Sequence, residues 1–164
     1  MEIVELLLEN YNALFLKNRN GETPFESAAE EGRNTIVNFF LEKEGFIKSN
    51  VLKNAFSKAV VKGNIEIVKL LLPQIKQDWI QSALFEAAKE PTKEPAIVKL
   101  LLKHGAKKNT KNKNNETPLE IAERRLKTCN RTYWTEQLNL TNIIEILKET
   151  STDFVGEKSV EECQ

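Results

Sequence analysis

One phrase occurs twice in this chain. Asn20-Gly21-Glu22-Thr23-Pro24-Phe25-Glu26-Ser27-Ala28-Ala29 returns as Asn114-Asn115-Glu116-Thr117-Pro118-Leu119-Glu120-Ile121-Ala122. A second phrase recurs around and between those copies: Glu2-Ile3-Val4-Glu5-Leu6-Leu7-Leu8, Ile36-Val37-Asn38-Phe39-Phe40-Leu41, Glu66-Ile67-Val68-Lys69-Leu70-Leu71-Leu72, Ala96-Ile97-Val98-Lys99-Leu100-Leu101-Leu102 and Ile143-Ile144-Glu145-Ile146-Leu147. The middle copies lie about thirty residues apart, a period that marks stacked repeats. A unit that short cannot bury its apolar face alone, so the chain must build one continuous core by stacking neighbours. With 40% apolar residues in 164 it has enough apolar surface to do so as one domain.

Thr-Pro-apolar, then a small-residue helix, then Ile-Val-x-Leu-Leu-Leu resembles the ankyrin repeat, a turn followed by two antiparallel helices. The resemblance implies an all-α solenoid joined by short inter-repeat hairpin loops. In the first full unit Thr23 suits an N-cap, Pro24 suits N1 and Gly32 suits a left-handed helix end. The second unit carries Asn54 where Thr would stand, which predicts a capped but fraying start there. In the third, Ser82 offers the cap hydroxyl, and Pro91-Thr92-Lys93-Glu94-Pro95 replaces the glycine turn and predicts a longer break.

The expected layout is a half-repeat at 1–17, repeats at about 18–48, 49–76, 77–111 and 112–148, and an acidic tail at 149–164. The half-repeat reads as a second helix without its first, either as a cap or as the edge of a longer array. The last repeat departs most from the family, with an insertion at 127–140 that contains Arg131, Tyr133 and Trp134. The tail carries Glu149, Asp153, Glu157, Glu161 and Glu162 against Lys158, a composition too polar to order itself.

Formal net charge is zero, but it is polarised along the chain. Residues 1–44 hold nine acids against four bases, and residues 99–131 hold ten bases against three acids. Wholesale binding to nucleic acid or membrane is disfavoured by the balance. The basic stretch Lys103 to Lys113, with Arg124, Arg125, Tyr133 and Trp134 nearby for stacking, remains the one nucleic-acid alternative. Cys129 and Cys163 are the only cysteines and have no ligand cluster around them in sequence, so neither a disulfide framework nor a metal site is expected and a reducing, cytoplasmic compartment is. The first residues lack the pattern of a signal peptide or membrane span. That leaves open the cytoplasm of a host cell, reached by another export route.

Catalytic motifs are missing from the sequence. His104 falls at a helix exit, and Glu30-Glu31 and Glu161-Glu162 are adjacent carboxylates that point about a hundred degrees apart on a helix. There is no phosphate-binding glycine loop. The extended surface that the resemblance implies binds other proteins, so the expectation is a non-enzymatic protein-protein interaction module, an adaptor or scaffold, without cofactor, metal or small-molecule substrate. Regulatory inhibition, or an effector role in a host, is the alternative of different consequence.

By resemblance the partner is read by hairpin tips and by exposed residues before each helix-ending turn. Those positions are Arg19, Asn20, Glu22, Glu30 and Glu31 in the first repeat, and Lys53 and Lys62, with Asn50, Val51 and Val61, in the second. The third supplies Asp78, Trp79, Gln81, Lys89 and Glu90, and the fourth Lys113, Asn114, Glu116, Arg124 and Arg125, followed by Tyr133 and Trp134 of the insertion. Trp79, read as lying at a hairpin tip, is the expected anchor, since aromatic residues dominate binding hot spots; the competing reading folds it over Ile75 and Leu84. Trp134 and Tyr133 are expected either to cap the stack or to bind.

Overall fold

The computed structural model describes residues 16–42, 48–90, 94–129 and 134–149. Eight α-helices lie among the described residues: α1 Pro24–Glu31, α2 Asn34–Glu42, α3 Ser49–Lys62, α4 Ile65–Leu71, α5 Gln77–Lys89, α6 Ala96–Lys103, α7 Pro118–Thr128 and α8 Trp134–Lys148, with a 3-10 turn Leu72–Gln74 after α4. They form two layers. Helices α1, α3, α5 and α7 pack side by side in one, and α2, α4, α6 and α8 in the other. Each helix also packs on its own hairpin partner, α1 on α2 through α7 on α8.

The small residues of the repeat phrase explain the spacing of the first layer. Ala28, Ala59, Ala87 and Ala122 hold equivalent places in the four units, and none is more than 5% exposed. An alanine there lets the neighbouring helix approach closely, and the larger Phe25, Phe56 and Leu84 fill the space between the layers, all buried. From the second layer Val37, Val68, Val98 and Ile144 close the same core. Phe25 meets Phe40 edge-on at 5.6 Å, which ties α1 to α2.

Helix starts fall into two kinds. At α1 and α7 the side chains of Thr23 and Thr117 cap the N-terminus, Glu26 and Glu120 complete capping boxes, and Pro24 and Pro118 stand in the first turn. Before each lies the same loop. Asn18 Oδ1 accepts the N–H groups of Asn20 and Glu22, as Asn112 Oδ1 accepts those of Asn114 and Glu116. Gly21 at φ 78° and Asn115 at φ 63° take the left-handed position of the two loops.

The two middle units differ from the expectation. Asn54 and Ser82 are not caps: α3 begins at Ser49 and α5 at Gln77, five residues earlier in each case. Residues Leu52, Ala55, Phe56, Ala59 and Val60 follow helical spacing, as do Ile80, Ala83, Leu84, Ala87 and Ala88, and all are buried. With no proline to stop it, the helix extends N-terminally to carry Leu52 and Ile80 into the core. Val51, Leu52 and Ile80 therefore belong to helices.

Most of the expected insertion is taken up by the two helices it was read as separating. Helix α7 continues to Thr128, and α8 starts at Trp134 and runs unbroken through Leu140, which is fully buried. The proposed half-repeat lies outside the described residues up to 15, and the tail lies outside them from 150 onward.

Candidate interaction groove

Three cavities follow one another across the first layer. The first, of 320 Å³, is lined by Asn20, Glu22, Glu30 and Glu31 beside the first loop and reaches Lys62 on α3. The second, of 490 Å³, lies over α3 and α5, between Lys53, Lys58 and Lys62 on one side and Glu86 and Glu90 on the other. The third, of 790 Å³, reaches from Lys62, Lys89 and Glu90 to Asn114, Glu116, Arg124 and Arg125, and to α8 at Glu136 and Asn139. Lys62 lines all three, and Val61 and Glu90 line both larger ones, so the cavities form one groove.

Ion pairs fix its wall at the α1 end. Lys58, which the sequence reading passed over, bridges Glu22 and Glu30, with Glu30 Oε2 at 2.5 Å, while Lys62 reaches Glu30 Oε1 at 2.9 Å. The signal that could have found it is positional: Ser27, Lys58, Glu86 and Ile121 are equivalent across the units. Hydrogen bonds from Lys58 and then Lys62 pull the Glu30 carboxyl down to about 2, against the opposing effect of burial. Burial by itself would lower the Lys58 ammonium, but Glu22 and Glu30 outweigh it and hold the pKa above its ordinary value.

Neighbouring units also grip each other beneath the groove. Asn54 Nδ2 donates to Glu26 Oε1 at 2.8 Å, and Glu26 is only 3% exposed. Burial pushes the Glu26 carboxyl up, yet the Thr23 N–H, Asn54 and the Thr23 hydroxyl together hold it below its ordinary value. Asn64 Nδ2 donates to the carbonyls of Ala29 and Glu30, both at 2.8 Å, which satisfies acceptors at the end of α1. Gly32, at φ 76°, ends that helix where a Cβ would come within 3.1 Å of Asn64 Oδ1.

At the far end Arg124 Nε donates to Glu116 at 3.0 Å, and Arg125 to Glu136 at 3.1 Å. The Nε of Arg125 is buried with no acceptor among the described residues.

Several expected binding residues stand outside the groove. Arg19 and Lys113 are exposed on the two loops and line none of the three cavities. Trp79 is not at a hairpin tip: it is in the first turn of α5, partly buried against the core, with Lys76 Nζ 5.5 Å from its ring centroid. Asp78 is exposed in the same turn, and its carbonyl accepts the Ser82 hydroxyl at 2.9 Å. Gln81 is spent internally, accepting from the Lys107 N–H at 2.8 Å and donating to the Lys107 carbonyl at 3.1 Å. Trp134 begins α8 at 69% exposure, which corrects the reading of it as a lid over the stack; Tyr133 lies outside the described residues.

Cys129 is half-buried, and burial first, then the Glu136 carboxylate, push its thiol above its ordinary pKa, the reverse of an activated nucleophile. His104 is exposed at the end of α6. Among the described residues no group of three or more His, Cys, Asp or Glu side chains is placed to hold a metal, and no helix is long and apolar enough to cross a membrane.

A search of curated proteins returned no match. A family model described as Ankyrin repeats (3 copies) matches residues 1–79 and 56–131. Repeats of this kind are generally protein-protein interaction modules and typically non-enzymatic. Periodic sequence, two-layered helix pairs and this match agree, and the chain belongs to the ankyrin-repeat family.

Proposed function

We propose that the chain is an adaptor or scaffold without chemistry of its own, which takes a segment of a partner protein in the groove across α1, α3, α5 and α7. The observation that carries this reading is the continuity of the groove over all four units, with Lys62 common to its three cavities. A cleft of this length suits an extended chain that places successive side chains along it. A phosphate backbone suits it less, because every cavity carries carboxylates that would repel one. Action in a reducing cytoplasm is part of the same proposal and is supported by the sparse, unclustered cysteines.

Val61 lines both larger cavities and is the place to block the groove. The test is affinity capture from cytosolic extract with mass spectrometry, comparing wild type with Val61→Arg and with Lys69→Ala, an exposed control on α4. Proteins retained by wild type and Lys69→Ala but lost by a Val61→Arg variant of unchanged helicity support the reading. Retention that ignores Val61→Arg, or that vanishes with nuclease, overturns it.

A further inference from the structure

From Lys99 to Lys113, through the end of α6 and into the loop before α7, the chain carries six lysines and no acid. Lys103, Lys107, Lys111 and Lys113 are exposed and stand in no ion pair among the described residues. The carboxylates nearby are engaged elsewhere. Glu116 holds Arg124, Glu123 holds Lys148, and Glu120, which feels the charge of Lys111, is bonded to Thr117. Asp78, one turn from the Gln81 that bonds the Lys107 backbone, pairs with none of these lysines.

The last helix ends beside this basic stretch. Helices α6 and α8 are neighbours in the second layer of successive units, and stacking sets their C-terminal ends together. Lys99 Nζ lies 3.5 Å from Glu149 Oε1, and Lys108 Nζ donates to the Glu149 carbonyl. A cation at that place also suits the negative end of the α8 dipole. Beyond Glu149 the sequence goes on with Asp153, Glu157, Glu161 and Glu162 against Lys158 alone. An acidic stretch therefore follows directly on the residue that two of the lysines already hold.

We infer that residues 150–164 lie along the basic loop of their own chain, with the carboxylates of Asp153, Glu157, Glu161 and Glu162 against Lys103, Lys107, Lys111 and Lys113. Reach permits it: at about 3.3–3.6 Å per residue Asp153 extends about 13–14 Å from Glu149, and Lys111 at most about 11 Å from Lys108. Exposed ion pairs are individually weak, but a tethered segment meets its site at an effective concentration on the order of millimolar. A stretch too polar to order itself can order on a surface of opposite charge. The competing seat for Phe154 and Val155 is the exposed pair Trp134 and Leu138. Leu138 lies eleven residues back along α8, about 16 Å, so Phe154 would meet it only by reversing at full stretch. None of the four free lysines lines the groove, so this contact is independent of the recognition surface.

Paramagnetic relaxation on the full chain tests the inference. Cys129→Ser leaves Cys163, beside Glu161 and Glu162, as the one site for a nitroxide label. Amide signals from Lys107 to Lys113 are expected to lose about half their intensity or more at physiological salt, while those of α2 keep theirs. Intensity should return at about 1 M salt, where the screening length is about 3 Å, and in a Lys111→Glu, Lys113→Glu variant of unchanged helicity. Loss spread evenly over the chain, loss centred on Leu138, or loss that survives both salt and the lysine reversal overturns the inference. So does equal loss on isotope-labelled chains without nitroxide when they are mixed with spin-labelled ones, which would place the segment on a second copy. If Cys129→Ser loses helicity, carbodiimide coupling of the unaltered chain carries the same comparison. Amide links from Asp153, Glu157, Glu161 or Glu162 to lysines 103–113, found in the monomer by mass spectrometry, support the seat; their absence, or their restriction to dimers, overturns it.

Discussion

Glu26→Gln should destabilise the array far more than the same change at Glu120, although the two residues close the same kind of capping box. The Glu26 carboxylate takes three donors: the Thr23 N–H at 2.7 Å and the Thr23 hydroxyl at 2.9 Å on one oxygen, and Asn54 at 2.8 Å on the other. Glutamine has one acceptor oxygen, which keeps the two Thr23 donors, and its NH2 meets Asn54, whose amide must turn over to accept it, at a site 3% exposed. Exchanging charge-assisted bonds for neutral ones there costs about 1–2 kcal/mol. For a domain of this size that is roughly 2–8 °C in Tm. Glu120 keeps the Thr117 contacts at 2.6 and 2.9 Å but is exposed, so solvent takes over and its substitution should cost only a small fraction of the Glu26 loss. Paired urea and thermal melts by far-UV circular dichroism measure the two. Because the folded Glu26 pKa lies below its ordinary 4.5, the wild-type advantage is complete above that pH and fades as pH falls through the folded value. Equal losses from the two variants, or a gap that widens toward acid, would refute the cross-unit strap.

Three further outcomes are expected. Glu30, held at about 2, contributes stability that is whole above about pH 4.5 and lost as pH falls toward about 2, so Glu30→Gln should narrow the gap between melts at neutral and acid pH. A pH profile unchanged by that substitution would count against the Lys58 and Lys62 pairs as stabilising. Gln81→Ala should leave groove binding intact but speed hydrogen exchange at the Lys107 amide, which donates to Gln81 at 2.8 Å. Trp134→Ala, at a position 69% exposed, should change stability by no more than about 0.5 kcal/mol in a urea melt; a loss of several times that would restore the lid reading.

The groove is partly legible in the sequence. Glu30, Glu31, Lys62, Glu90, Arg124 and Arg125 follow from the resemblance, carried over unit by unit, and all of them line its cavities. Trp79 was misplaced because an aromatic near a unit boundary reads as a loop residue when the neighbouring unit is not considered. The hydrogen bonds of Gln81 were hidden for the same kind of reason: their partner, the Lys107 backbone, lies in the next inter-unit loop.

The sequence by itself determined the repeat, the helix pairing and the two matching loops, because these rest on local chemistry. Threonine with proline and a glutamate three residues beyond the cap starts a helix, and glycine or asparagine at positive φ shapes what lies next to it. Only the tertiary structure decided that α3 and α5 begin five residues early, that Asn54 and Asn64 serve the preceding unit, and that Lys58 sits between Glu22 and Glu30. The physical reason is common to all three. A helix extends as far as its neighbours offer apolar surface to Leu52 and Ile80, and polar side chains pair with whatever the register of adjacent helices brings within hydrogen-bonding reach. Neither condition exists until the units are stacked.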